Sequence, residues 1–184
     1  MKDFCIIGSG ISGATIANSL SKKYSLDVYD KARGAGGRSS NKKLNKNESF
    51  DHGVQYISPK SIQFKSFIKS LISKKILKKW TGNHIFLNDN KKEDKSHIKI
   101  IGKKGNNAIS KHLLKNINCN FSSEVIKIAN RKKVWEISFS DGSIKFYKSL
   151  ILTCPCLARP TLMHRPMRLT SFHSCGLRRE SRFE

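Results

Sequence analysis

The sequence predicts an α/β fold built on parallel strands, and three observations predict it. Residues 3–8 form a short aromatic and β-branched run, residues 11–23 carry apolar side chains at helical spacing, and residues 26–30 form a second β-branched run. A strand, a helix and a strand within about 30 residues make the unit from which a parallel sheet is built. Further along the chain, three segments alternate apolar and polar residues, which is typical of antiparallel strands.

Three glycines join the first predicted strand to the helix. Gly8 permits a tight turn out of the strand, Gly10 lets the backbone approach a pyrophosphate, and Gly13 lets the helix pack closely on the sheet. Asp30 follows 20 residues after Gly10, at the end of the second strand. A carboxylate there accepts hydrogen bonds from a ribose diol and repels a 2′-phosphate. The pattern predicts a Rossmann-like dinucleotide-binding unit; the alternative is a glycine-rich turn without a ligand.

A second glycine-rich loop comes directly after Asp30. Residues 31–38 contain three glycines and two arginines, Arg33 and Arg38. Glycines keep such a loop thin, so that its amides lie near a diphosphate, and Arg38 is placed to contact phosphate oxygens. The alternative is a flexible loop whose charge is incidental.

The sequence of the middle of the chain predicts helices and strands that form the core, rather than catalytic or ligand-binding residues. Residues 60–75 have apolar positions at helical spacing with lysines opposite, which predicts an amphipathic helix. Short strands are predicted at 76–80 and 84–87, and a polar loop at 88–96. Residues 124–129, 134–139 and 144–147 then predict a β-meander with a turn at Asp141 and Gly142.

Composition excludes some classes of function. The net charge is +23, and Lys, Ile and Asn together supply 60 of the 184 residues. The lysines are spread evenly, without a basic helix or an aromatic stripe, which favours a solvated surface over a specific nucleic-acid partner. No apolar stretch approaches the roughly 18 residues of a membrane-spanning helix, so no membrane partner is predicted.

The cysteines and histidines do not predict a metal site. Five irregularly spaced cysteines suit reduced thiols, and Asp3 argues against a signal peptide, so a cytoplasmic protein is predicted. Cys5 and Cys119 are expected to be structural thiols, and His52 a structural or exposed residue. One set of residues lacks the usual zinc spacing: Cys154, Cys156, His164, His173 and Cys175.

The composition changes abruptly near residue 152. From Leu152 to Glu184 there is no Lys, Ile or Asn, where the rate in the preceding residues predicts about 13. Six arginines and three of the four prolines stand there instead. We therefore predict that the tail is irregular; either it comes from a shifted reading frame or joined coding sequence, or it is a basic disordered linker.

The motifs together resemble one family. The residues that carry the resemblance are 28–31, 36–38, 50–56, 102–113 and 150–155. They are similar to the renalase-like FAD-dependent oxidoreductases of the flavin amine oxidase superfamily. The resemblance covers about residues 1–155 and stops at the change in composition.

The resemblance implies a set of FAD-binding residues but no catalytic residue. Four residues would cradle the FAD diphosphate: Gly8, Gly10, Ser12 and Gly13. The others would be Asp30 at the adenosine ribose, Arg38 at the diphosphate and ribitol, Gln55 and Tyr56 beside the isoalloxazine, and Val125 with its backbone at the adenine. From the residues alone, Gln55 and Tyr56 suit a flavin site, or an ordinary strand with its aromatic ring packed inward.

The resemblance also implies a domain order and an activity. Residues 1–58 would be an FAD-binding Rossmann segment, 59–101 part of a substrate domain, 102–155 the FAD-domain helix and inserted β-meander, and 156–184 the irregular tail. The activity would be hydride transfer from a small molecule, an amine or a dihydronicotinamide-type substrate, to the flavin, with O₂ as reoxidant. Family members are about twice as long, which implies that this chain lacks the half that completes the flavin site. A non-enzymatic nucleotide-binding fragment and a basic polyanion-binding protein are the alternatives.

Overall fold

A computed structural model of the chain describes residues 1–45, 48–81 and 98–154. The helices are α1 (Ile11–Leu20), α2 (Ile62–Ser73) and α3 (Ala108–Leu113), with a 3₁₀ helix at Gly37–Ser39. The first six strands are β1 (Lys2–Ile7), β2 (Leu26–Tyr29), β3 (Asn41–Lys43), β4 (Ser49–Asp51), β5 (Leu77–Lys79) and β6 (Ile100–Gly102). The last four are β7 (Cys119–Asn120), β8 (Val125–Arg131), β9 (Val134–Phe139) and β10 (Ile144–Leu152). The predicted strand at 84–87, the loop at 88–96 and the tail at 156–184 lie outside the described residues.

Six strands form the main sheet, in the order β7, β2, β1, β10, β9, β8. The first four are parallel, and β9 and β8 continue the sheet in antiparallel pairs. β1 lies inside the sheet, with Ile6 opposite Val28 on one side and Ile151 on the other. The predicted α/β fold, with a Rossmann-like arrangement of β1, α1 and β2, is therefore confirmed.

The strand β10 belongs to both parts of the sheet. Its first half pairs with β9, from Ile144 opposite Ser138 onward, and its second half pairs with β1, ending with Leu152 opposite Ile7. The sequence predicts a meander strand at 144–147, and the family resemblance over residues 150–155 implies a separate strand that returns to the FAD domain. No glycine or proline separates them, so the extended backbone continues and the meander is joined directly to the parallel strands.

Two hydrophobic cores lie on opposite faces of this sheet. Ile6 belongs to the helix-side core and Cys5 to the meander-side core, because successive side chains of a strand point to opposite faces. The helix-side core also contains Ala14, Val28, Ile68, Leu71 and Ile109. The meander-side core also contains Tyr29, Val125, Ile137, Phe139 and Tyr147.

A buried polar network crosses the meander-side core. Asp27, only 5% exposed, accepts hydrogen bonds from the Tyr147 hydroxyl at 2.8 Å, from Lys2 Nζ at 2.6 Å and from Asn118 Nδ2. The hydroxyls of Tyr147 and Tyr29 are 2.7 Å apart. Burial pushes the pKa of Asp27 upward, but the hydrogen bonds outweigh it and hold the pKa below its ordinary value. Burial also raises the pKa of Tyr147, so that phenol remains a donor.

Two small antiparallel pairs complete the fold: β3 with β4, and β5 with β6. The predicted helix at 60–75 is α2, whose first turn is capped by Ser61 Oγ accepting from the Phe64 N–H at 3.2 Å. The predicted strand at 76–80 is β5. In the part of the chain that the structure describes, no helix is both long and apolar enough to cross a membrane.

Candidate functional site

The first glycine turn lies at the carboxyl end of β1. Gly8 has a φ of +108°, which favours glycine, and its N–H donates to the Tyr29 carbonyl at 2.8 Å. A Cβ on Gly13 would overlap the Gly8 carbonyl oxygen, so only glycine lets α1 start directly on the turn. A Cβ on Gly10 would have only the Gly37 Cα within 4 Å, at 3.8 Å. The tight turn and the close helix packing are both present, and the backbone of Gly10 is left accessible.

Asp30 is turned toward this first glycine turn. Its Oδ2 accepts hydrogen bonds from the Ser9 N–H at 2.7 Å and the Ser9 hydroxyl at 2.6 Å, and its Oδ1 accepts from the Ala32 N–H at 2.9 Å. Ser9 is fully buried. A carboxylate has about four acceptor positions, so these three hydrogen bonds leave capacity for a ribose hydroxyl. Asp30 therefore holds the turn in place and keeps an acceptor at its edge.

The second glycine loop packs on the first. The Gly36 N–H donates to the Ser9 carbonyl at 3.1 Å, and a Cβ on Gly37 would lie 3.1 Å from the Gly10 Cα. Gly37 has a φ of +52°, where a side chain would also strain the backbone. Arg38 follows in the 3₁₀ helix with its side chain exposed. The two glycine segments thus form one surface that ends in a guanidinium group.

An open cavity of about 500 Å³ begins at Arg38. Gly37, Arg38 and Ser40 line one side, and His52, Gly53 and Val54 line the other. The two sides are tied together, because the Val54 N–H donates to the Arg38 carbonyl at 3.0 Å and Ser40 Oγ lies 3.0 Å from His52 Nε2. His52 is exposed, as the sequence predicts.

Gln55 and Tyr56 follow this cavity wall and are both exposed. The Tyr56 ring lies 6.1 Å from the Trp80 ring, and Lys99 Nζ lies 5.1 Å above it. The interpretation of Tyr56 as an aromatic residue packed inward is therefore wrong. The ring stays at the surface because the chain leaves β4 at Asp51 and is paired with β6 only at Ile57.

The buried side chain of Asn106 supports that wall from behind. Its Nδ2 donates to the Val54 carbonyl at 2.7 Å and the Gln55 carbonyl at 3.1 Å. Its Oδ1 accepts from the Gly102 N–H at 2.8 Å, and the residue is 1% exposed. One amide therefore fixes the backbone of the segment that carries Gln55 and Tyr56.

Replacing this amide tests its role directly. Asn106→Ala is expected to lower the free energy of unfolding by about 2–3 kcal/mol, because the buried Gly102 N–H and the partly buried carbonyls of Val54 and Gln55 lose their partner. Hydrogen exchange should show faster exchange at the Gly102 amide. Asn130→Ala, at an exposed position of β8, is the matched control and should change neither quantity measurably. Unchanged exchange at Gly102 in Asn106→Ala would contradict the assignment.

Val125 and Ser12 complete the set of predicted site residues. Val125 is 8% exposed in the meander-side core, just after a segment whose Ser123 N–H donates to the Asp30 carbonyl at 3.0 Å. The backbone leading into β8 is thus fixed beside Asp30. Ser12 is exposed in the first turn of α1. The structure brings the predicted residues from 8 to 38 together around the glycine turns, with Val125 in a segment attached to Asp30.

The thiols behave as buried or partly buried groups. Burial raises the pKa of Cys5 to about 12, and it also raises the pKa of Cys119. Both thiols are therefore protonated near neutral pH and have little nucleophilic character. Among the described residues, no group of three or more His, Cys, Asp or Glu side chains has metal-binding proximity.

Three residues that position the site are missing from the set predicted by sequence: Ser9, Asn106 and Thr153. Thr153 Oγ1 donates to the carbonyls of Ile7 and Gly8, at 3.0 and 3.1 Å, and so backs the first turn. Ser9 has a local signal, because it stands between two glycines and 21 residues before the acid. Asn106 and Thr153 have no local sequence signal, because most of their hydrogen-bond partners are more than 50 residues away in the sequence.

A comparison with protein families finds a similarity over the front of the chain. Residues 6–71 match the family described as an NAD(P)-binding Rossmann-like domain. The match runs from β1 to α2 and includes both glycine turns and Asp30. This segment is therefore similar in sequence to NAD(P)-binding Rossmann-like domains, in agreement with its Rossmann-like fold.

Two solved structures share the fold. Tetracycline destructase Tet(51) is 17% identical with a TM-score of 0.59, over 84% of this chain and 38% of that chain. A putrescine oxidase double mutant with redesigned cofactor binding is 13% identical with a TM-score of 0.60, over 84% of this chain and 58% of that chain. This chain thus spans less than two thirds of either protein.

Proposed function

We propose that this chain forms the FAD-binding part of a renalase-like, amine-oxidase-like oxidoreductase. Its substrate would be an amine or a dihydronicotinamide-type molecule, with O₂ as the reoxidant. The observation that carries the proposal is the contact between the two glycine segments, with Asp30 at one end and Arg38 with its cavity at the other. The shared fold with a putrescine oxidase supports the same class of reaction.

The glycine turns would hold the diphosphate. The free N–H groups at the start of α1 and the accessible backbone of Gly10 suit phosphate oxygens. Asp30 would accept hydrogen bonds from the adenosine ribose with its remaining lone pairs. Arg38 would place its guanidinium against the diphosphate and ribitol. These groups supply the donors and acceptors that the ADP portion of the cofactor would need.

The second glycine loop favours FAD over a nucleotide that uses only the first turn. It extends the binding surface from Gly10 to Arg38 and leads into a cavity of about 500 Å³, within the range of about 300–1,000 Å³ of small-molecule sites. Gln55 and Tyr56 follow the wall of this cavity, where they would orient a substrate. When bound, FAD supplies the two-electron chemistry itself.

Asp30→Asn is expected to lower the affinity for ADP about tenfold to a hundredfold, because charged hydrogen bonds to the ribose are lost. Isothermal titration of the full chain with ADP measures this effect. Asp141→Asn, in the exposed turn between β9 and β10, removes the same charge and should leave the affinity unchanged. Equal affinity in the two variants would contradict the assignment of Asp30.

Reconstitution with FAD separates the proposal from its alternatives. A yellow protein with the visible absorbance of a bound, oxidised flavin supports the proposal. Protein that binds ADP but stays colourless favours a nucleotide-binding fragment without enzymatic activity. Protein that binds neither, but binds polyanions with strong salt dependence, favours the basic binding protein that the net charge of +23 suggests.

A further inference from the structure

A second cavity lies on the helix side of the sheet, next to β7. Its volume is about 320 Å³. The residues that line it include Arg33, Ala35, Lys111, Leu114, Cys119 and Phe121. Leu114, Cys119 and Phe121 all pack in the helix-side core, whereas Val125, at the predicted adenine position, lies in the meander-side core. The second cavity is therefore on the other face of the sheet from Val125.

Two cations from different elements stand at this cavity. Arg33 lies in the loop after β2 and Lys111 in α3, and both side chains are exposed. None of the ion pairs found between described residues includes either of them. No acidic side chain lines the cavity, so an anion between Arg33 and Lys111 would meet two cations. Asp27 lies close enough to Cys119 to help raise the pKa of its thiol, but the Asp27 carboxylate is paired with Lys2.

The walls between the two cations are apolar. Leu114 is 6% exposed, and the Phe121 side chain is partly buried against the same core. The Cys119 thiol is neutral, since burial raises its pKa, and a neutral thiol behaves as a small apolar group. The cavity therefore offers an apolar floor with positive charge on its rim, and its volume is near the lower limit of about 300 Å³ for ligand sites.

We propose that this second cavity binds a small aromatic monoanion, such as an aryl carboxylate or sulfonate. The aromatic body lies against Leu114 and Phe121, where ring contacts add to the burial of apolar area. The anionic group lies between Arg33 and Lys111. The second cavity is lined partly by the second glycine loop, through Arg33, Gly34 and Ala35, but it shares no lining residue with the cavity at Arg38. Its test does not require bound FAD.

Calorimetric titration of the full chain with 1-naphthalenesulfonate tests the proposal. We expect one binding site per chain, with affinity reduced about tenfold in Arg33→Gln and in Lys111→Gln, because each removes a charge-assisted contact. The double variant Lys65→Gln/Lys69→Gln is the control for net charge, since both lysines are exposed on α2. It should bind within about twofold of the parent chain, as distant surface charges are screened. Circular dichroism verifies that each variant is folded.

Two further measurements check the place and chemistry of binding. The neutral compound 1-naphthalenemethanol should bind at least about tenfold more weakly than the sulfonate, because it lacks the charge. At alkaline pH, where the Cys119 thiol with its raised pKa can ionise and react, bound sulfonate should also slow iodoacetamide labelling of Cys119, which lines the cavity, but not that of exposed Cys154. Peptide mass spectrometry distinguishes the two thiols.

Four results would overturn the proposal. The first is absence of measurable binding to the parent chain, and the second is equal loss of affinity in the α2 control. The third is equal binding of the neutral compound. The fourth is competitive displacement of the sulfonate by ADP, which would make the second cavity part of the nucleotide site; this result would leave the FAD proposal standing.

Discussion

Gly13→Ala is expected to lower the free energy of unfolding by about 3 kcal/mol or more and to abolish nucleotide binding. The added Cβ would overlap the Gly8 carbonyl oxygen and come within 2.8 Å of Thr153 Oγ1. The Gly8 carbonyl is backbone, and Thr153 Oγ1 is held by hydrogen bonds to the carbonyls of Ile7 and Gly8, so α1 has to move away from the turn. Overpacking at a tight site typically costs about 1–3 kcal/mol, and backbone overlap lies at the upper end. Urea unfolding and ADP titration measure the two effects.

Gly34→Ala is the matched control for this prediction. A Cβ at Gly34 would meet no atom within 4 Å, and the residue is not among the glycines with positive φ. Removing a glycine where the backbone tolerates alanine changes stability by less than about 1 kcal/mol, often favourably. If Gly13→Ala and Gly34→Ala were equally stable, the close packing of α1 on the turn would be wrong.

Asp27→Asn is expected to lower the free energy of unfolding by about 2–3 kcal/mol at neutral pH. An amide cannot accept from Lys2, Asn118 and Tyr147 as the carboxylate does, because its NH₂ group faces donors. A buried donor left without a partner costs about 1–3 kcal/mol. Tyr147→Phe removes one of these donors but keeps the charge, so a smaller loss of about 1–1.5 kcal/mol is expected.

The pH dependence of the free energy of unfolding should distinguish Asp27→Asn from Tyr147→Phe. The pKa of Asp27 is lowered on folding, so its contribution is fully present above the pKa of the unfolded state, about 3.9, and is lost as the pH falls through the folded value. The difference in stability between the parent chain and Asp27→Asn should therefore be constant above about pH 5 and shrink below about pH 4. Tyr147→Phe keeps the carboxylate and should retain an acid dependence, weaker than that of the parent because one hydrogen bond that lowers the pKa of Asp27 is lost. A difference that stayed constant down to pH 2 would contradict the assignment of a depressed pKa to Asp27.

The first strand, helix and second strand are predictable from the sequence, because the residue patterns that indicate them are local. The run of residues 3–8, the glycine spacing and Asp30 all lie within one strand, one helix and the next strand. α2 is equally clear, since its apolar positions repeat at helical spacing. The predicted division at residues 58, 101 and 155 remains a prediction, as do the localisation and the irregular tail.

The features that local patterns miss are those that depend on distant partners. Nothing near Leu150 shows that the meander strand continues into the strand beside β1, because that pairing is decided by Phe4 to Ile7. Asp27 looks like an ordinary polar residue in a strand until Tyr147 meets it from β10. Asn106 is one of 13 asparagines, and only its burial beneath residues 54 and 55 distinguishes it. The candidate site is thus predictable in its ligand-facing glycines and acid, but not in the groups that support them.

The position of β10 has a consequence for how the protein is made. The first glycine turn begins at residue 8 and is synthesised early. Thr153, whose hydroxyl donates to the Gly8 carbonyl behind that turn, is 145 residues further along the chain. β1 likewise remains without one of its two neighbours until β10 has left the ribosome. Contacts this distant in sequence form late and slow folding. The oldest part of the nascent chain is therefore among the last to be completed.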